Sequence, residues 1–257
     1  MIIFFILLLL IFLLNHKNQE NFNQKIFMTF GGGGQNYIDA GNRLVSQANN
    51  LNIFDQNILY TDLDLKNDKQ FWNKHKKFIE NNKKGYGYWI WKSYLIQKTM
   101  NNMNNGDILL YLDAGCELDY KKRDILNNYI NIIHKYYIIG TYTKIEKNWN
   151  KKDLILHMNM NKNKYLNTKQ FQGGVLLIYV CNKTRKLINE WYNIACNYHM
   201  IDDSPSISKN IKSFKEHRHD QSILSLLIKK YNLYNKDIHL RSCIDIKRNK
   251  TGNSKLK

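Results

Sequence analysis

Apolar positions recur along this chain with two alternating periods, and their order lays out an α/β protein. Largely apolar runs at Lys25–Phe30, Ile58–Tyr60, Ile108–Leu112, Tyr136–Gly140 and Val175–Val180 have the length and continuity of buried strands. Helical spacing fills the intervals. Residues 38–49 predict one helix. Phe71, Trp72, His75, Phe78 and Ile79 follow a candidate N-cap, Asp68, and share one helical face. His75 lies on that stripe and reads as a core histidine. Gly85 and Gly87 mark a turn before a helix in which Ile90/Tyr94 and Trp91/Leu95 are i,i+4 pairs. Further stripes run through Ile125, Tyr129, Ile130 and Ile133, through Leu187, Ile188, Trp191, Ile194 and Ala195, and through Ile223, Leu224, Leu227 and Ile228. Residues 144–169 and 202–213 lack periodicity, and the first of these reads as a long mobile loop on the acceptor side. Strands alternating with helices predict a single α/β domain over residues 25–244.

The two ends depart from this pattern. Residues 1–14 are an unbroken apolar run, about 21 Å long as a helix and shorter than the hydrocarbon core of a bilayer. It reads as a hydrophobic anchor or signal segment, and residues 15–24 as a polar spacer. With no charged stretch before it and no small-residue cleavage site after it, the expectation is a single-pass N-terminal membrane anchor. Residues 245–257 form a basic tail without apolar pattern, expected either to fray or to close over a phosphate.

Composition adds a bias towards partners. The 257 residues carry 39 basic and 21 acidic side chains, a net charge of +18, which favours polyanions and phosphorylated substrates. The basic residues are scattered and mostly lysine, and no nucleic-acid motif is present, so nucleic acid is not expected. Four cysteines without C-x-x-C spacing argue against a zinc site.

Candidate chemistry gathers at strand ends. Ile108–Leu112 runs into Asp113-Ala114-Gly115-Cys116-Glu117, and a carboxylate at the C-terminal end of a central strand stands where open α/β sheets bind ligands. Phe30 and Gly31 open a run of four glycines that lets a ligand approach the backbone. Lys92 follows a second glycine turn and is placed to meet a diphosphate. Gln172-Gly173-Gly174 precede the last long strand. His217-Arg218-His219-Asp220-Gln221 precede an apolar helix, where Asp220 can also serve merely as an N-cap.

In this order, Tyr111-Leu112-Asp113-Ala114-Gly115, Gln172-Gly173-Gly174-Val175 and His219-Asp220-Gln221 resemble the GT-A glycosyltransferases, in particular the glycogenin-like and galactosyl- or mannosyltransferase-like groups. The stretch Gly85–Lys92 is similar to one in bacterial and giant-virus glycosyltransferase-like proteins. The resemblance implies a GT-A-like domain, with a Rossmann-like mixed sheet flanked by helices, that moves a hexose from a nucleotide-sugar donor to a glycan or glycoconjugate hydroxyl, with retention of configuration. It implies catalytic roles for Asp220, Gln221 and Gln172, and donor contacts from Phe30, Gly31, Lys92, Asp113, Gly115, Gly173 and His219. It also implies a divalent Mn or Mg ion on Asp113. Gly115 stands where the family has the second carboxylate of Asp-x-Asp, so Glu117 would have to substitute. Without metal, Lys92, Arg218 and the basic tail would neutralise the diphosphate. A non-catalytic descendant that binds glycans or nucleotides, and a basic nucleic-acid binder, are the alternatives.

Overall fold

The structure, a computed structural model, describes residues 23–256. The expected anchor at 1–14 and most of the spacer at 15–24 lie outside the described residues. Among those described, no helix is long and apolar enough to cross a membrane.

In chain order the elements are β1 (Lys25–Gly31), α1 (Gln35–Leu51), β2 (Gln56–Thr61), α2 (Asp62–Asn67), α3 (Lys69–Asn81), α4 (Ile90–Asn101), β3 (Ile108–Leu112), β4 (Cys116–Leu118), α5 (Arg123–Tyr136) and β5 (Ile138–Ile139). There follow β6 (Tyr142–Ile145), α6 (Lys152–His157), α7 (Asn163–Leu166), β7 (Lys169–Phe171), β8 (Val175–Tyr179), α8 (Asn182–Ala195), α9 (His219–Lys230) and β9 (Ile244–Ile246). Asp68 caps α3 as expected, accepting from Phe71 N. The fourth expected strand, at Tyr136–Gly140, shrinks to two residues, because α5 continues through Tyr136 and Tyr137 turns the chain at φ 66°.

The central sheet has the order β2-β1-β3-β8-β5. β1, β2 and β3 are parallel, and β8 runs antiparallel to both β3 and β5. The chain leaves β1 to form β2 on one side and returns to form β3 on the other. The crevice between the C-terminal ends of β1 and β3 is therefore the switch point at which such sheets take ligands.

Side chains alternate across this sheet as the two-residue strand period demands. Met28, Leu109, Tyr111, Leu176 and Ile178 face a core shared with α3, α4, α8 and α9. Phe27, Leu110, Leu112, Val175 and Leu177 face a second core with α1, α5 and β4. Asp113, two residues beyond Tyr111, is set on the α4/α9 face by the same alternation.

Two expectations fail here. Residues 144–169 are packed structure: Trp149, Leu154, Ile155, Met158, Met160 and Leu166 are buried, and β6 pairs with β7 across the base of the segment. The helices α6 and α7 have six and four residues, too short for a stripe to show in the sequence. A buried ion pair between Glu146 and Lys229, with Ser225 and Gln170 also on Glu146, ties the segment to α9.

The tail neither frays nor stands apart as a separate segment from residue 245. β9 pairs with β4, and Arg43 donates to the carbonyls of Thr251 (2.8 Å), Ala114 (2.7 Å) and Cys116 (2.9 Å). Glu117 is wholly buried and accepts from Asn249 Nδ2 (2.9 Å), Ser254 Oγ (2.6 Å), Gln47 Nε2 (3.2 Å) and the Lys255 amide. Burial would raise its carboxyl, but these donors outweigh it and bring it down to about 2. Its stabilising effect is therefore complete above the ordinary value of 4.5 and is lost as pH falls towards 2. Glu117→Gln is expected to cost on the order of 2–3 kcal/mol and to speed amide exchange from Asn249 to Lys255. Unchanged protection of those amides would show that Glu117 does not hold the tail.

Candidate active site

The centre of the site is a buried ammonium between two carboxylates. Lys92 Nζ lies 3.1 Å from Asp113 Oδ1 and 3.0 Å from Asp220 Oδ2. Lys92 and Asp220 are 3 % and 5 % exposed, whereas the Asp113 side chain is 43 % exposed and faces the opening. Tyr111 donates its hydroxyl to Asp113 Oδ1 at 2.6 Å. The Tyr111 and Trp91 rings lie 5.5 and 5.8 Å from the ammonium and close its remaining side.

Lys92 and Asp220 each follow local backbone that the fold has to force. Gly85, Tyr86, Gly87, Tyr88 and Trp89 all have positive φ, between 52° and 82°, and form one left-handed turn directly ahead of α4. Its amides bond four residues back, Tyr88 to Lys84 (2.8 Å) and Trp89 to Gly85 (3.0 Å). Three of the five are not glycine, at roughly 1–2 kcal/mol each. Packing offsets that strain. Trp91 Nε1 donates to Gly85 O at 3.0 Å, and Gly87 abuts Ile79 so closely that a Cβ would meet its Cγ1 at 2.7 Å.

His219, immediately before Asp220, is also left-handed at φ 52°. Its ring stacks on Tyr88 (4.8 Å) and Trp89 (5.4 Å), so the two strained segments that carry Lys92 and Asp220 brace each other. Strain of this kind clusters at functional sites. Trp191 Nε1 donates to Asp220 O at 2.9 Å and fixes the start of α9.

The electrostatics follow from this enclosure. Burial alone would lower the Lys92 ammonium, but the charges of Asp113 and then Asp220 outweigh it and hold the amine protonated. Burial raises the Asp220 carboxyl to about 6 against the pull of Lys92, and Asp113 adds to the rise. Burial and then Asp113 push the Tyr111 phenol well up, so it stays a donor.

The mouth of β8 completes the site. Leu112 pairs with Val175, and Asp113 N donates to Gly174 O at 2.9 Å, which brings Gly173 and Gly174 against the carboxylates. A Cβ on Gly174 would lie 2.4 Å from Asp113 Oδ2, and one on Gly173 3.2 Å from Asp220 Oδ2.

Not every sequence-derived candidate arrives here. Lys92, expected to meet a diphosphate, is paired with two carboxylates and buried between them. His219 is 4 % exposed, its Nδ1 bonds Ile201 O, and it supports Asp220 from behind. Gln221 braces the mouth, accepting from Gly173 N at 3.3 Å and donating to Gln170 at 2.6 Å. Gln172 accepts from Thr141 Oγ1 (2.8 Å) and Arg241 (3.2 Å). Phe30 stacks on Trp91 at 3.8 Å inside the core, and Gly31 is needed for the close approach of α1, since a Cβ would lie 2.6 Å from Tyr37 O. The Arg248–Asn249 backbone covers Gly115, with Arg248 Cα 3.1 Å from where a Cβ would be.

The donor set does not fit the divalent ion that the resemblance implies. Glu117 is committed to the tail, Gly115 offers no carboxylate, and an ammonium already lies between Asp113 and Asp220. Among the described residues no three His, Cys, Asp or Glu side chains are grouped to hold a metal.

No protein-family model and no curated protein matches the chain. Among solved structures it is similar to mouse xyloside xylosyltransferase 1 in its apo form, with 11 % identity and a TM-score of 0.43, covering 82 % of this chain and 83 % of that one. At that level the likeness decides nothing about the chemistry. Two contributors escaped the sequence reading. Tyr111 stood within the expected strand with no role of its own, although its place two residues before Asp113 put both on one face. The left-handed turn leaves only a Gly-x-Gly signature, which does not announce five residues of positive φ.

Proposed function

We propose that this protein transfers a hexose from a nucleoside-diphosphate sugar to a hydroxyl acceptor. The observation that carries the reading is the Lys92-bridged Asp113–Asp220 pair, set under the Gly173–Gly174 mouth at the crevice where β1 and β3 diverge. The order of Asp113, Gly173-Gly174 and Asp220 along the chain, and its resemblance to GT-A glycosyltransferases, supports the same conclusion.

In this reading the exposed edge of Asp113 meets the donor, and the small mouth residues admit the sugar ring. The bond between the anomeric carbon and the diphosphate oxygen breaks, and the acceptor oxygen bonds to that carbon. Asp220 faces the positive charge that develops on the sugar and takes the acceptor's hydroxyl proton, a role suited to a carboxyl near 6. Lys92 keeps both carboxylates in place. Retention of configuration is the outcome the resemblance favours, and the anomeric proton coupling of the product tests it by NMR.

A thermal-shift panel of UDP-, GDP- and CMP-sugars tests the reading, because a ligand that binds the native state raises the melting temperature by mass action. No shift with any sugar nucleotide would remove it. A shift without donor hydrolysis or transfer would favour a non-catalytic binder, a second reading prompted by the tail backbone over Gly115.

Gly174→Ala gives a sharper result. Its φ is not in the left-handed region, so the backbone accepts alanine, but the new methyl drives Asp113 Oδ2 out of its position. Transfer is expected to fall about 10- to 100-fold, as for a misplacement of about 1 Å in a catalytic group. A variant as active as the native protein would show that Asp113 has no part in the reaction.

A further inference from the structure

The ammonium of Lys92 occupies the position from which a divalent ion would hold this pair of carboxylates. Its two contacts, 3.1 Å to Asp113 Oδ1 and 3.0 Å to Asp220 Oδ2, use one oxygen of each. Mg²⁺ or Mn²⁺ sharing those oxygens would approach them to about 2.1 Å, and both cations would then be crowded into one gap. Lys92 has no way out. It is 3 % exposed, it stands in the first turns of α4 behind the left-handed turn, and Trp91 and Tyr111 wall it in. On Asp113, Oδ1 is taken by both Tyr111 and Lys92, which leaves Oδ2 at the opening as its one oxygen without a recorded partner. The position two residues on, Gly115, lacks a side chain and is roofed by the backbone of Arg248.

From this geometry we propose that Lys92 is a resident cation that excludes divalent metal from the site, so that the nucleoside diphosphate is bound without metal. The proposal deepens the transferase reading and rests on it only for its second clause. Charge neutralisation between the two carboxylates is supplied by the chain, fixed in place, and independent of metal concentration. The ligand class is therefore a metal-free nucleoside diphosphate.

The test follows Mn²⁺ directly by the amplitude of its free-ion electron paramagnetic resonance signal, with native protein, Asp113→Asn, Lys92→Met and Lys92→Met/Asp113→Asn. Native protein is expected to show no saturable site that depends on Asp113. Lys92→Met leaves two unopposed carboxylates and is expected to gain a Mn²⁺ site, which the double variant loses. A native site abolished by Asp113→Asn overturns the proposal, and so does a folded Lys92→Met protein that gains none. If Lys92→Met does not fold, the comparison of native protein with Asp113→Asn decides alone.

In a second arm, calorimetry of UDP and GDP binding to native protein is run with Mn²⁺ and with EDTA. Affinities within about twofold of each other are expected. A tenfold or greater gain with Mn²⁺ that Asp113→Asn removes counts against metal exclusion. Absence of any nucleotide binding removes the transferase reading instead, while the resonance result still decides whether Lys92 excludes metal.

Discussion

Asp220→Asn is expected to reduce transfer by about 10³-fold or more while the protein folds and still binds donor. Asparagine keeps the shape of the side chain and an oxygen to accept from Lys92, so the packing behind His219 and Trp191 is undisturbed. On the proposed mechanism, what it removes is the negative charge facing the sugar and the basic site for the acceptor's proton. Folding does not depend on that charge. Burial lifts the carboxyl to about 6, above its ordinary 3.8, so ionised Asp220 costs stability above pH 6, and protonated Asp220 adds to it as pH falls through that window. The native pH profile is expected to rise to a plateau with a midpoint near 6, with the residual activity of the variant flat across it. Full activity in a well-folded Asp220→Asn protein would end the assignment of Asp220.

Loss of stability in mild acid is the second large effect, and it arises outside the site. Burial lowers His75 to about 4 and His217 to about 3. The bonds each ring makes suit a neutral imidazole. His75 lies between the hydroxyls of Tyr198 (3.0 Å) and Tyr192 (2.9 Å). His217 has Met200 O at 2.9 Å from Nε2, and the Lys151 amide donates to Nδ1 at 3.3 Å, so Nε2 carries the proton. The unfolded chain takes up protons below about 6.5 and the folded one does not, so stability falls with pH in that window. At pH 5 each histidine is expected to cost about 2 kcal/mol, of which protonation of Asp220 restores about 1 kcal/mol in total. Urea unfolding at pH 7 and pH 5 measures the difference, and His75→Gln and His217→Gln should each flatten it. Equal stability at both pH values would mean that neither ring is held neutral.

His75 also shows how far periodicity reaches. Its place on the stripe of α3 was enough to identify it as a core residue. The same logic found β1, β3 and β8, because each carries a continuous apolar run, and put Asp113 at a strand end. It failed for residues 144–169, where short helices bury one or two residues each without repeating. It failed again for the tail, whose order comes from polar contacts to Arg43 and Glu117, residues some 130 to 210 positions away.

The site divides along the same line. The sequence by itself determined which groups stand at element ends, Asp113 after β3, Gly173-Gly174 before β8 and Asp220 at the head of α9, because strand and helix periods are local properties of the chain. Only the tertiary structure decided what those groups do to one another. It brought Lys92 from α4 between two carboxylates, turned Glu117 towards the tail, and set Gln221 and His219 as supports. The physical reason is that a charge's role depends on its distance to other charges and on its burial. Both are fixed by packing between elements far apart in the chain, here by two left-handed segments stacked on each other, which no local pattern encodes.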